Sequence, residues 1–414
     1  MKIKRFRIDN LYGRTIDIDL SKSVVVIFGH NGVGKTLTLN IMDAIYNFKF
    51  YKLLEIEFDK ITITNSSQRN LYVLRTKENG YVQLEFKKTI DGLPIGIINA
   101  DMLEHFAPEN IRHITPSVVF DNKTKKTYSW NLYQESAEYI DILKKNLPKD
   151  LTIELLKVNV QIIHAQRLIS LDNRTESSQK IRLFAKQMRQ IIRDAAADSV
   201  AISHKLERTF PKRLLEQCSQ NNSQALSSED IAVKYADFII SFINLKTSGF
   251  VEGNLPSKEL PFTANLRNDK TILNVIDLFL SDSIHKLEPL QEIAKKNKLF
   301  IESINSKLEG KKIEINPQDG FAVYPMNSKD AIPLHKLSSG EQNIINLFFD
   351  LIFNGKGKDI VLIDEPELSL HIDWLEKLLD DFVQITSQTK TSMLIATHSP
   401  DFIGSNIELT QNLR

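Results

Sequence analysis

The chain has 414 residues, with 53 basic against 52 acidic side chains and one cysteine, Cys218. That length suits two or three domain-sized units, or one large fold with an insertion, and the cancelled charge makes no case for a protein basic all over that coats a polyanion. A single thiol excludes a disulfide framework and a zinc site of several cysteines, and no run approaches the roughly 20 apolar residues of a membrane span, so a cytoplasmic protein with no membrane partner is expected.

In chain order, "KIKRFRID" and "TIDIDL" alternate apolar with polar residues, which predicts two half-buried strands joined by a turn at Tyr12 and Gly13. "VVVIF" is a short continuous apolar run, the pattern of a strand buried on both faces. Glycines follow, then "LTLNIMDAIYNF" places Leu37, Ile41, Ala44, Ile45 and Phe48 on one helical face. Residues 50 to 130 read as short alternating segments, an antiparallel subsheet. From Asp172 to Gly310 the pattern becomes helical, with Ile181, Phe184, Met188 and Ile191/Ile192 forming a stripe, and with breaks at "CSQNNSQALSSED" and "GNLPSKELPF". "KKIEINPQDGFAVYP" predicts a hairpin across Asn316 to Gly320. The last third carries "LSSGEQNIINLFFDLIF", "DIVLIDEPE" and "TSMLIATHSP", the latter two being buried-strand runs that end in polar residues. Strand-rich ends around a helical middle predict one α/β fold with a large insertion: an N-terminal lobe over 1–171, a helical insertion over 172–310 and a C-terminal lobe over 311–414.

The stretch "FGHNGVGKT" fits G-x-x-x-x-G-K-[ST] in full, with Gly29, Asn31, Gly32, Gly34, Lys35 and Thr36 between a buried strand and an amphipathic helix. Glycines let successive N–H groups curl around a phosphate, Lys35 neutralises its oxygens, and the Thr36 hydroxyl suits Mg²⁺. In "DIVLIDEPE", Asp364 can hold Mg²⁺ and Glu365 can deprotonate an attacking water. "LSSGEQ" opens a helix whose hydroxyls, N–H groups and dipole suit a γ-phosphate, although Ser338 or Ser339 followed by glutamate is also ordinary N-cap punctuation.

The order phosphate loop, "LSSGEQ", "VLIDEPE", "ATHSP" resembles the ABC-type ATPase head: α/β, with a mixed central sheet, an antiparallel subsheet and here a large helical insertion. The resemblance implies ATP and Mg²⁺ as cofactors, Lys35 and Thr36 on phosphate and metal, Asp364 as the Walker B aspartate, Glu365 as catalytic base and His398 as switch histidine. It implies that Ser338, Gly340 and Glu341 face the γ-phosphate held by a second protomer, in a head-to-tail homodimer or higher homo-oligomer. Gln166, in "IIHAQRLIS", is the candidate Q-loop metal ligand. "PELSLH" departs from transporter cassettes by placing His371 where they carry aspartate, a form found in the branch of Rad50-like and overcoming-lysogenisation-defect-like ATPases.

Within that branch the middle is too short for the long coiled coil of Rad50 and chromosome-maintenance proteins. Sixteen residues follow His398, too few for an appended nuclease domain, so no nuclease is expected in this chain. "LIDEPELSLHIDW" and "LIATHSPDFI" resemble stand-alone AAA_15/AAA_21 ATPase subunits of two-gene anti-phage systems such as PARIS and Septu, which implies a separately encoded nuclease or toxin as partner. The rival reading is a RecF-like DNA clamp, for which Arg182, Lys186, Arg189 and Arg193 form a basic row on one helix side. Such rows are also common as solvated faces. A nucleotide-binding scaffold without turnover is a third reading, disfavoured because every hydrolytic residue type is present.

Overall fold

In β1 (Ile3–Leu11) Ile3, Phe6, Ile8 and Leu11 are buried while Lys4 and Arg5 are exposed, the alternation of a sheet with one covered face. It pairs antiparallel with β2 (Arg14–Asp19), Phe6 opposite Ile18 and Ile8 opposite Ile16. Tyr12 and Gly13 form the turn with φ of 47° and 85°, the left-handed pair whose twist matches a two-residue hairpin. The all-apolar run forms β3 (Val24–Phe28), and α1 (Lys35–Tyr46) buries Leu39, Ile41, Met42, Ala44 and Ile45.

The computed structural model describes residues 2–78, 80–164, 173–219, 227–247, 250, 269–355, 357–368 and 370–413. The chain divides into two units, Met1–Leu171 with Asn354–Arg414, and Asp172–Phe353. In this division residues 311–353 lie with the helices and 354–414 with the first unit. Most of the polar break after Cys218 and the loop "GNLPSKELPF" lie outside the described residues.

In the first unit, α2 (Phe50–Glu55) leads into β4 (Lys60–Asn65), β5 (Asn70–Glu78), β6 (Tyr81–Lys87) and β7 (Gly96–Asn99). These extend the first hairpin into a six-stranded antiparallel sheet of order β2-β1-β4-β5-β6-β7, the expected subsheet. After α3 (Ala100–His105), β8 (Ile111–Thr115), β9 (Val118–Asp121) and β10 (Lys126–Ser129) form a separate three-stranded sheet. Three helices follow, α4 (Trp130–Gln134), α5 (Ala137–Asn146) and α6 (Lys149–Leu156), then β11 (Val160–His164). Between residues 50 and 130 the periodicity shows only strands, because α2 and α3 span six residues each, too few turns to display a 3.6-residue stripe.

The second unit is built on three long helices, α7 (Asn173–Ser219), α8 (Ser228–Thr247) and α9 (Lys270–Asn305). Ala195, Leu245, Leu290 and Ala294 form one shared core among them, and Ile231, Leu273 and Leu280 another. The expected hairpin is β12 (Lys311–Asn316) with β13 (Gly320–Pro325), Asn316 facing Gly320. It is followed by α10 (Ser339–Phe349) and a π-helical turn over Asp350–Asn354. Phe349 of α10 stacks on Phe184 of α7 at 4.4 Å and lies 6.1 Å from Phe300 of α9 and 6.2 Å from Phe321 of β13. Offset and edge-on aromatic contacts of this kind add to the burial of the rings, and they fix α10 from three sides.

Returning to the first unit, β14 (Ile360–Asp364), α11 (Ile372–Thr389), β15 (Ser392–Thr397), α12 (Pro400–Ile403) and β16 (Thr410–Asn412) complete a five-stranded sheet of order β11-β14-β15-β3-β16. All four of its pairings are parallel, so the mixture of strand directions is divided between sheets rather than found within this one. Parallel strands covered on both faces need continuous apolar runs, which is how β3 and β14 read.

Gly320 offers a test of the second unit. Its φ is 83°, and a Cβ there would lie 1.9 Å from the Ala185 carbonyl oxygen on α7. Gly320→Ala is expected to destabilise by at least about 2 kcal/mol, from left-handed strain plus displacement of the hairpin. Urea unfolding checks this; an unchanged midpoint and slope would refute the close approach.

Candidate functional site

The phosphate-loop sequence is a strand-to-helix turn between β3 and α1. Gly34 caps α1 with φ 96°, a conformation that costs a side-chain-bearing residue. At Gly29 a Cβ would come within 2.8 Å of the Leu413 carbonyl oxygen, because the segment after β16 backs the loop. Asn31 and Gly32 lie exposed at the crest. Lys35 is buried, its ammonium donating to the carbonyls of Gly29 at 2.7 Å and His30 at 3.1 Å, so the cation sits inside the curl of the loop.

One strand, β15, separates β3 from β14, with Ile27 and Asp364 both paired to Ala396. Parallel strands in this register end at the same edge, and the Thr36 hydroxyl donates to Asp364 Oδ1 at 2.9 Å. Residues 328 positions apart in sequence thus put one hydroxyl and one carboxylate at a single point. That pair fits Mg²⁺, a hard cation that takes few protein oxygens and completes its shell with water and phosphate. Among the described residues no cluster of three or more His, Cys, Asp or Glu could hold a metal by itself. Gln166 lies outside the described residues. His164, which the sequence reading passed over, pairs in register with Asp364 and holds Nδ1 3.7 Å from its Oδ2.

Glu365 has φ 49°, uncommon for a residue with a side chain, and its N–H donates to the Ala396 carbonyl at 2.8 Å. This hydrogen bond ties the end of β14 to β15 and turns the side chain toward His398, whose Nδ1 is 3.2 Å from Glu365 Oε1. Glu367 is a second residue that sequence reasoning missed, although it stands in the quoted "DEPE". Its Oε1 accepts from the Thr397 hydroxyl at 2.5 Å and the His398 N–H at 3.3 Å. Burial pushes this carboxyl above the ordinary glutamate range, against the opposing effect of those hydrogen bonds. His371 is exposed and caps α11, its Nδ1 accepting from the Asp373 N–H at 3.4 Å.

The "LSSGEQ" residues belong to the second unit and form the start of α10. Ser338 is its N-cap, its hydroxyl accepting from the Glu341 N–H at 3.2 Å, while Glu341 Oε2 accepts from the Ser338 N–H at 2.8 Å. This reciprocal capping box is the punctuation the residue types allowed. Lys311 of β12 holds the other carboxylate oxygen, Oε1, at 2.6 Å. Glu341 is therefore directed inward, while Ser338 and Ser339 are exposed and Gly340 half-buried at the positive end of the helix. In the basic row Arg182, Lys186 and Arg193 are exposed and Arg189 is half-buried; Arg182 bonds His335 Nδ1 at 2.8 Å and Arg189 donates to the Gln318 carbonyl at 3.3 Å.

Burial alone would raise the Glu341 carboxyl, but the hydrogen bonds from Lys311 and Ser338 outweigh it and hold the group below its ordinary range. A carboxylate depressed in the folded state stabilises above its unfolded pKa, and that contribution disappears as pH falls through the folded value. Glu341→Gln is expected to cost roughly 1 kcal/mol near neutral pH. The gap to wild type should close on acidification below the ordinary carboxylate range, measured by urea unfolding at stepped pH; a gap that widens would refute the assignment.

Among solved structures the chain is similar to the Smc head domain with an extended coiled coil bound to the C-terminal domain of ScpA from Pyrococcus furiosus, at 13% identity and a TM-score of 0.38, covering 97% of this chain and 91% of that one. It is also similar to the SMC head domain from Thermotoga maritima, at 12% identity and a TM-score of 0.37, covering 99% and 93%. No curated protein matches. Among the described residues no helix is long and apolar enough to cross a membrane. The family model described as "AAA ATPase domain", AAA_15, matches residues 1–403, and with that span the chain belongs to the AAA_15 ATPase family.

Proposed function

We propose that this chain binds and hydrolyses ATP with Mg²⁺, that two copies close head to tail around the nucleotide, and that it serves as the regulatory subunit of an anti-phage system whose nuclease or toxin is encoded separately. The observation that carries the hydrolytic reading is the Thr36–Asp364 hydrogen bond with Glu365 and His398 beside it. Lys35 and the loop N–H groups bind the β- and γ-phosphates, and Thr36 with Asp364 holds the metal. Mg²⁺, when bound, neutralises charge that develops on the phosphate oxygens. Glu365 takes a proton from water as its oxygen bonds the γ-phosphorus and the bond from that phosphorus to the ADP oxygen breaks. His398 orients Glu365 and the transferred phosphoryl group.

Ser338 and Gly340 of one protomer would face the γ-phosphate held by Lys35 and Thr36 of its partner, with Glu341 holding Ser338 in place through the capping box. Exposure of Ser338 and Ser339 at a helix N-terminus supports that role. The defence role rests on the phrases "LIDEPELSLHIDW" and "LIATHSPDFI". The engagement of Arg182 and Arg189 within their own unit counts against a continuous DNA-binding row.

Glu365→Gln is expected to reduce ATP turnover by about 100-fold or more while ATP binding persists. ATP should then drive a stable dimer, seen by light scattering; full turnover in this variant would refute the proposed base. Affinity purification is expected to capture a nuclease or toxin with the chain. Salt-sensitive DNA binding that disappears when Lys186 and Arg193 are reversed, with no such partner captured, would favour the clamp instead.

A further inference from the structure

The turn after β14 carries a second carboxylate to which the scheme above gives no part. Glu367 is 8% exposed, its Oε1 is shared by the Thr397 hydroxyl and the His398 N–H, and its Oε2 is buried with no hydrogen-bond partner among the described residues. A buried polar atom without a partner is costly, so a solvated strand end does not account for this residue. Its position relative to the histidine ring is informative. His398 Nδ1 lies 3.2 Å from Glu365 Oε1 and 3.6 Å from Glu367 Oε1.

Glu367 Oε1 already receives two hydrogens, so it is an acceptor whether or not the carboxyl carries a proton on Oε2. A ring nitrogen that faces two acceptor oxygens must carry the hydrogen. Nε2 is then the nitrogen turned away from both carboxylates, on a side chain 41% exposed. Thr397 adds a further tie, since its hydroxyl oxygen accepts from the Ser399 N–H at 3.0 Å. One carboxylate oxygen thus fixes the last residue of β15 and the first residue after it.

We propose that Glu367 is a positioning residue for hydrolysis: by gripping Thr397 and the His398 backbone it holds the imidazole against Glu365 as the Nδ1–H tautomer and aims Nε2 at the nucleotide. This inference rests on Glu365 and His398 forming the hydrolytic pair. It differs from a purely structural role in what a substitution changes. Loss of a structural contact lowers stability alone; loss of a positioning contact alters the imidazole and kcat in a protein that is still folded.

The test uses the full chain with ¹⁵N-labelled histidine near pH 8, where an ordinary imidazole is neutral. Long-range ¹H–¹⁵N spectra report the tautomer, with His398→Gln identifying the resonances. Wild type is expected as Nδ1–H, Glu367→Gln the same because the amide oxygen still accepts, and Glu367→Ala as a mixture with Nε2–H. In ATP hydrolysis Glu367→Ala should lower kcat about 10- to 100-fold with KM changed less than about twofold, and Glu367→Gln should restore most of it. Should Glu367→Ala fail to fold, Thr397→Val, which removes one donor to the same oxygen, is judged by the same two readouts. An Nε2–H wild type overturns the proposal, and so does a folded Glu367→Ala, or Thr397→Val in its place, in which either the tautomer or kcat stays at the wild-type value. A wild-type protein without turnover would instead sink the hydrolytic reading, and the spectra would still decide whether Glu367 sets the ring.

Discussion

The Thr36–Asp364 hydrogen bond is the contact around which the first unit is organised. A short, directional bond between the first turn of α1 and the last residue of β14 requires β3, β15 and β14 to run parallel, in register and to the same edge. That requirement explains the nearly unbroken burial of β14 and β3, since strands covered on both faces tolerate no solvated alternation. On the other side of β3, the segment after β16 backs Gly29 closely and leaves the loop no slack there.

The second organising feature is the joining of two loops. Glu365 adopts a left-handed backbone angle and is held to Ala396, while Glu367 reaches across to Thr397 and His398. The turns after β14 and β15 therefore behave as one piece, with the imidazole between two carboxylates. Strained backbone persists where surrounding contacts over-determine it, and here the contacts that do so are the ones that join Glu365 and His398.

In the second unit the same residues carry a structural duty and a proposed ligand duty without conflict. Glu341 is consumed by the capping box and by Lys311, which points it inward; the serines and the helix N-terminus stay outward. Phe184, Phe300 and Phe321 clamp Phe349, so the direction of α10 is set by packing at one end and its first turn by hydrogen bonds at the other.

Local periodicity was enough to read the hairpin at Tyr12 and Gly13, the buried run of β3, the amphipathic face of α1 and the hairpin across Asn316 to Gly320, because each is decided by neighbours in the chain. Residue types and spacing also singled out Lys35 and Thr36, and with them Asp364 and Glu365, as candidates, because a phosphate loop and a strand-end acid pair are contiguous in sequence; the structure brings Thr36 and Asp364 within hydrogen-bond distance. Only the tertiary structure decided that β15 lies between β3 and β14, that His164 stands opposite Asp364, that Lys311 holds Glu341, and that Glu367 accepts from the His398 N–H. It alone showed that Arg182 and Arg189 are engaged within their own unit. These facts depend on strand order and on contacts across tens to hundreds of residues, and a periodic pattern along one segment contains no information about which distant segment will lie beside it.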